Sequence, residues 1–461
     1  MKKISSILIL LTQFGHLHAE AGDLIDFNHQ TTMTVEDINI ILWFAGMPQT
    51  AIYGVSIYDI QYETEGEGGY LDTLAGLVIF PNEITEAFPI LSYQHGTALA
   101  DESAPSITGL STENQEVLLI GLITAPTGFV TLFPDYEGLG DPDMYHPYII
   151  AESYSHTVVN MVRAVKQLSL DLAYDNPFQF NDQLHLLGYS EGGYATMAIQ
   201  KGIELNYADE FTITTSCPMA GPYDLSGIMV NYFLSLPDYP RPYYVPYVLT
   251  SHLWYYEGED VDFGLYFEPF WADTLPSLFD GSHYGSEIDT LLPENPLDIL
   301  LPEELEEFTN NDDHFFRETL AENTLLDWTP QSPTFMFHGI GDDIIPYENS
   351  QIAYDAFVAN GAPNVSLTLY SESLGGHAGV AITCLFGGYN VIQDRQIIST
   401  KGDMDNDGII SSEDVYLLEG SILTEYNITE FQWWAGDLDW DATHSIFDLL
   451  GASDLTEEIN G

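Results

Sequence analysis

The chain opens its ordered pattern with two runs of mixed apolar and polar residues, 53–62 and 71–80. They read as strands joined by the hairpin turn Glu65-Gly66-Glu67-Gly68-Gly69. No helical pattern follows those glycines, so they do not read as a phosphate-binding loop. Two unbroken apolar runs, 89–93 and 128–134, predict buried strands. The first ends in His95-Gly96-Thr97 and the second in Asp135-Tyr136-Glu137-Gly138-Leu139-Gly140. Over 153–170 the period changes: Val158, Val159, Met161, Val162, Val165 and Leu168 fall at helical spacing, with Arg163 and Lys166 on the outer side. A strand at 183–189 and a helix at 192–203 follow. Strands alternating with helices predict an α/β fold with a mostly parallel sheet.

Between about 222 and 330 this rhythm stops, and aromatic and proline residues crowd 239–256 and 267–271. Such a segment suits a cap inserted over the sheet and lining a cleft, or an aromatic core, or both. The pattern returns with a strand at 334–337, a helix at 350–360 and a strand at 366–370. From about Lys401 the chain becomes a distinct acidic module. The expected organisation is a leader at 1–21, an α/β domain at 22–400 with its insertion at 222–330, and a small module at 401–461.

The leader reading rests on order: Lys2-Lys3, an apolar run over 4–14, then Ala19-Glu20-Ala21. That is the order of a secretory signal peptide cleaved after Ala21. The run is far shorter than the ~20 residues that cross a bilayer. Export to the extracellular space is expected, with no transmembrane anchor.

Charge narrows the partners. Nine Lys and Arg stand against 71 Asp and Glu, a formal net charge of −62. Nucleic acid is excluded, because phosphate binding needs clustered cations, and an anionic membrane surface would repel the chain. With 45% hydrophobic and 13% aromatic residues the chain still folds. Spread as it is, the acid reads as adaptation to saline or, failing that, acidic surroundings; solubility alone is the plainer alternative. Two cysteines, Cys217 and Cys384, exclude a disulfide-stapled miniprotein and a cysteine-rich zinc site. Export permits a bond between them, but spacing does not show that they meet.

Gly188-Tyr189-Ser190-Glu191-Gly192 lies between a strand and a helix. A nucleophilic serine on so sharp a turn needs small residues on both flanks. The turn lifts the hydroxyl above the C-terminal edge of the sheet, at a helix N-terminus that favours developing negative charge. A serine nucleophile needs a base and an orienting acid, which on such a turn follow in the order Ser, Asp or Glu, His. Asp342 and Asp343 lie just beyond the strand at 334–337, and either fits the acid. Only His377 and His444 come later; His444 sits in an apparent metal loop, leaving His377, in the glycine-flanked loop after the last strand, as general base. Two backbone N–H groups would hold the oxyanion: that of Glu191 and that of Thr97, with Gly96 as the alternative. The Glu191 side chain has no required part, and His95 belongs to the oxyanion loop.

Tyr93-Gln94-His95-Gly96-Thr97, Pro134 to Gly140, His146-Pro147-Tyr148, Val162-Arg163-Ala164 and Gly188 to Gly192 together resemble the secretory lipases of the Candida antarctica lipase A kind, which are α/β-hydrolases. The resemblance covers about 55–395 and is densest over 93–193. It implies an α/β-hydrolase fold, carboxylic-ester hydrolysis by a Ser-Asp-His triad without a cofactor, and a cap over an acyl pocket. The family motif D-x-x-V-P matches Asp342 through Ile345-Pro346, which favours Asp342 over Asp343 as the acid. The expected function is a secreted serine esterase or lipase, with an ester or lipid substrate. A serine peptidase of prolyl-oligopeptidase type is the alternative, and a non-catalytic protein held on a scaffold is the third reading.

The module carries a second chemistry. Asp403, Asp405, Asp407, Ser411 and Asp414 place side-chain oxygens at positions 1, 3, 5, 9 and 12 of a loop, Gly408 makes its turn at position 6, and Ile409 offers a carbonyl. Asp437, Asp439, Asp441, Ser445 and Asp448 repeat the spacing, with Ala442 in the place of the glycine and Thr443 offering the carbonyl. Such hard oxygens suit structural calcium. A pair of loops ending in Asp, followed by Leu417-Leu418 and Leu449-Leu450, resembles a dockerin. That implies a small helical module of EF-hand type and a cohesin-bearing scaffold as partner.

Overall fold

The computed structural model describes residues 19–66, 70–258, 260–423 and 427–460, with side chains through 456 in the last stretch. The leader expected at 1–21 lies almost wholly outside the described residues, as do Glu67, Gly68 and Gly69 of the hairpin turn.

Among the described residues, ten strands form one mixed sheet: β1 (Leu24–Met33), β2 (Val55–Glu65), β3 (Leu71–Pro81), β4 (Glu86–Gln94), β5 (Val130–Pro134), β6 (Phe180–Tyr189), β7 (Ile213–Met219), β8 (Thr334–Gly339), β9 (Val365–Tyr370) and β10 (Ser399–Thr400). The order is β1-β2-β3-β5-β4-β6-β7-β8-β9, with β10 on the side of β4. From β5 to β9 every pair is parallel; β1, β2, β3 and β5 pair antiparallel. The predicted hairpin is β2–β3. The strand and helix before it, β1 and Val35–Phe44, escaped the sequence reading. β1 is an edge strand that leaves most of its residues exposed, so no apolar face marks it.

The two faces of the sheet bury separate cores. On one, Val158, Met161 and Val162 of helix Ala151–Asp171 and Ala195 and Ile199 of helix Glu191–Asn206 pack with Ile60, Val78 and Leu186. On the other, Val117 and Ile120 of helix Gln115–Thr124 and Val380 and Cys384 of helix His377–Gln393 pack with Ile57, Ile79 and Leu187. Cys217 and Cys384 share this second core as buried free thiols, without a disulfide; burial pushes the Cys384 thiol up to about 12.

Between Met219 and Thr334 the described residues add no strand to the sheet. Helices Tyr244–Glu257, Pro269–Leu278, Pro302–Asn310 and Phe315–Glu322 dominate there, and Leu249, Leu253, Phe267 and Phe316 join the first core. Beyond β10, helices Ser412–Ile422, Glu430–Gly436 and Ile446–Asn460 enclose a third small core of Met404, Leu418, Phe431, Ala435 and Ala452, to which β4 contributes Ala87. Among the described residues, no helix is long and apolar enough to cross a membrane.

Candidate active site

Parallel strands deliver their loops to one edge, and here that edge collects the chemistry. β4 and β6 are neighbours with Gln94 opposite Gly188, so the His95-Gly96-Thr97 loop and Ser190 leave the sheet side by side. β8 ends before Asp342, and the chain after β9 brings in His377.

Ser190 sits between β6 and helix Glu191–Asn206 with φ 64°, a left-handed conformation that costs a non-glycine residue energy and recurs at functional turns. The positions two residues to either side must be glycine. A Cβ on Gly192 would lie 2.0 Å from the Gln94 carbonyl oxygen, and one on Gly188 would lie 2.2 Å from the Gly192 carbonyl oxygen. The turn thus closes only because backbone packs on backbone.

Ser190 Oγ lies 2.8 Å from His377 Nε2, and His377 Nδ1 lies 2.6 Å from Asp342 Oδ2. All three residues are buried. A carboxylate only accepts, so His377 carries its proton on Nδ1 and presents a lone pair at Nε2 to the serine hydroxyl. Asp342 Oδ1 accepts from the amides of Ile344 and Ile345 at 3.0 and 2.9 Å. Burial alone would raise this carboxyl, but the hydrogen bonds it accepts from His338 and His377 hold it well below the ordinary carboxylate range.

His377 is the first residue of helix His377–Gln393, whereas the sequence placed it in a loop. Asp343 reaches it differently from Asp342: Asp343 Oδ1 accepts from the His377 amide at 2.9 Å. Asp343 crowds Gly376 so closely that a Cβ there would lie 2.2 Å from Oδ1. His338 escaped the sequence reading. It is fully buried, its Nε2 donates to the Ile345 carbonyl at 2.9 Å and lies 3.3 Å from Asp342 Oδ2, and its Nδ1 faces Ser350 Oγ at 2.7 Å. Only its position four residues before Asp342 in a strand hinted at the contact.

The Gly96 amide is donated to Glu116 Oε1 at 3.0 Å, an oxygen that also accepts from Tyr93 Oη at 2.6 Å. Thr97, the next residue, lines the same cavity as Ser190 and His377. His95 Nδ1 donates to the Gly96 carbonyl at 2.8 Å and its ring stacks on Tyr136 at 4.2 Å.

A cavity of about 590 Å³ opens over the triad, with Ser190, His377 and Thr97 at its floor and Leu42, Met47, Leu119, Ile382 and Leu385 in its largely apolar walls. Behind Ser190, Leu225, Met229, Phe233 and Val248 surround a smaller space of about 40 Å³.

In the tail, carboxylate oxygens of Asp403, Asp405 and Asp414 lie within 4.8 Å of one another, as do those of Asp437, Asp439 and Asp441. The two loops share one internal pattern. Asp403 accepts from the amides of Asp407 and Gly408, and Asp437 from those of Asp441 and Ala442. Asp414 and Asp448, fully buried, each accept from backbone amides nine and ten residues upstream. Ser411 Oγ accepts from the Glu413 amide and Ser445 Oγ from that of Phe447, so both cap helix starts.

No protein-family profile matches the chain. A rice cell wall degrading esterase LipA from Xanthomonas oryzae superposes with a TM-score of 0.73 over 82% of this chain and 100% of that one, at 24% identity. Candida antarctica lipase A in its closed state gives 0.64 over 82% of each chain, at 18% identity. A secreted triacylglycerol lipase of Malassezia globosa is 30% identical over 76 residues, 16% of this chain and only 17% of that relative. The strand order and these structural likenesses define the fold as that of the α/β-hydrolases.

Proposed function

We propose that this chain is a secreted serine hydrolase that cleaves carboxylic esters through an acyl-enzyme. The observation that carries the reading is the continuous chain Asp342–His377–Ser190, at 2.6 and 2.8 Å, beneath a largely apolar cavity. The lipase and esterase names of its structural neighbours favour ester over amide. In the proposed sequence, His377 Nε2 takes the Ser190 proton as Oγ attacks the ester carbonyl carbon. The amides of Glu191 and Thr97 hold the resulting oxyanion. His377 then gives its proton to the leaving alcohol, and the Ser190 acyl ester remains. Water, deprotonated by His377, attacks that ester; the carboxylic acid leaves and Ser190 recovers its proton.

The test is hydrolysis of p-nitrophenyl esters of graded acyl length beside proline-containing peptides, with Ser190→Ala as control. Ester turnover that falls by about 10³-fold or more in Ser190→Ala supports the reading. Preference for the peptides would move it to a prolyl-oligopeptidase-type enzyme, and no turnover of either would leave a binding protein.

For residues 401–461 we propose a dockerin-like module with two structural calcium ions and a cohesin-bearing scaffold as partner. Asp403, Asp405, Asp407, the Ile409 carbonyl and Asp414 would hold one ion. Asp437, Asp439, Asp441, the Thr443 carbonyl and Asp448 would hold the other, with Ser411 and Ser445 at position 9 of each loop. Hard oxygens and buried carboxylates fit calcium and no softer metal. Calorimetry of the EDTA-stripped full chain should count two ions. One ion would demote the Ala442 loop, and none would reject the module reading. Because no triad residue lies in these loops, ester turnover should persist in EDTA.

A further inference from the structure

The loop His146-Pro147-Tyr148 stood out in the sequence but has no part in the triad, and the Glu191 side chain had no required role. The structure joins them. Glu191 Oε1 lies 2.9 Å from His146 Nε2 and accepts from Tyr154 Oη at 2.9 Å. Tyr154 Oη in turn accepts from the Ile149 amide at 3.1 Å. At the other end of the same loop, Tyr148 Oη meets Thr97 Oγ1 at 3.0 Å. One short segment therefore grips the side chains of both residues whose amides are proposed above to hold the oxyanion.

We propose that His146 and Tyr148 are positioning residues for the oxyanion hole: Tyr148 fixes Thr97, and His146 fixes Glu191 while neutralising its carboxylate. The proposal rests on the serine-hydrolase reading above and deepens it.

Hydrogen-bond logic carries the charge argument. His146 Nδ1 lies 2.7 Å from the Glu137 carbonyl, which only accepts, so Nδ1 carries hydrogen. A hydrogen must also lie between Nε2 and Glu191 Oε1. Whether it sits on nitrogen or on oxygen, the pair as a whole is neutral. Both side chains are buried, at 5% and 1% exposure. Glu191 Oε2 has no hydrogen-bond partner among the described residues, and of the two groups on Oε1, His146 and the Tyr154 hydroxyl, only the imidazole can carry a compensating positive charge. An unpaired carboxylate on the residue whose amide binds the oxyanion would oppose the developing charge in a water-poor site.

The segment is also held under strain. Ile149, a β-branched residue, has φ 61°, which bulky side chains adopt only where the surroundings force them. Those surroundings are the Tyr154 hydrogen bond and a stack of Tyr148 on Tyr247 at 4.2 Å, with Tyr247 stacked on Phe279 at 5.1 Å. The inserted helical segment thus braces the loop from above.

The test measures kcat and KM of the full chain on one p-nitrophenyl ester, with intact active sites counted by a fluorophosphonate that labels Ser190. His146→Phe, which keeps an aromatic ring against Tyr136, on which His146 stacks at 5.8 Å, should lower kcat per active site roughly tenfold to hundredfold with little change in KM. Adding Glu191→Gln to that variant should restore at least tenfold of the loss, because the bare carboxylate is gone. A merely structural loss would not be repaired by a second change. Tyr148→Phe removes one hydroxyl and should lower kcat about tenfold, so the claim stays testable even if His146→Phe folds poorly. Wild-type kcat in His146→Phe or Tyr148→Phe, or a double variant no faster than His146→Phe alone, would overturn the proposal while wild-type turnover still upheld the hydrolase. No turnover by the wild type would overturn both.

Discussion

Asp342 and Asp343 both touch His377, one at the ring and the other at the backbone, and the difference sets an unequal cost for losing each. Asp342→Asn keeps shape but removes the charge that fixes the Nδ1 tautomer, and kcat should fall by about 10³–10⁴. Asp343→Asn keeps a carbonyl oxygen for the His377 amide, and its loss should stay within about tenfold. Steady-state kinetics of the two variants decides, and a larger loss for Asp343→Asn would reassign the acid. A buried carboxyl elsewhere makes a pH prediction. Burial pushes Asp135 up to about 7, against hydrogen bonds from the Ser106 amide and hydroxyl that lower it. A folded value raised above the unfolded one means that stability present at low pH is lost as pH rises from ~4 through ~7. Melting curves should therefore show the wild type losing stability between about pH 4 and 7 relative to Asp135→Asn; parallel curves would contradict this. Ser190 and His377 were legible because a turn motif and chain order constrain them. His338, His146 and the Glu191 carboxylate were not. His146 meets Glu191 across 45 residues, which no local spacing reports, and His338 lies four residues before Asp342, a spacing too common to single it out.

At the scale of elements, the nucleophile turn is the least forgiving. Gly192→Ala would force a methyl against the Gln94 carbonyl, and Gln94 leads directly into the oxyanion loop. The cost should reach about 2–3 kcal/mol or more in denaturant unfolding, with ester turnover largely lost. Unchanged stability would mean that strand and helix are not packed backbone to backbone. Most strands and crossover helices were readable from their apolar periodicity. Their sheet order was not, because it is set by pairing between distant segments. His377 at a helix start was hidden by Gly375 and Gly376, which read as loop although Gly376 is the N-cap.

For the whole molecule the dominating fact is acid. Among the described residues Arg163, Lys201, Arg241, Arg317 and Lys401 each already pair with a carboxylate, leaving the remaining acid to repel itself. Raising NaCl to ~1 M shortens the screening length to ~3 Å, so the melting temperature should climb with salt. A flat or falling curve would favour solubility as the reason for the composition. The docking of the tail was not legible either. It includes a two-residue strand against β4, Ala87, and a hydrogen bond from Thr429 to Asp182 of β6, which carry almost no signal in sequence.

The proposed function stands or falls with a covalent acyl group on Ser190. Rapid mixing with a slowly deacylating p-nitrophenyl ester, acid quench and peptide mass spectrometry tests it most directly. The account predicts a burst of p-nitrophenol and the acyl mass on the peptide that contains Ser190, both absent in Ser190→Ala. Turnover without that adduct, or an adduct on any other residue, would contradict it.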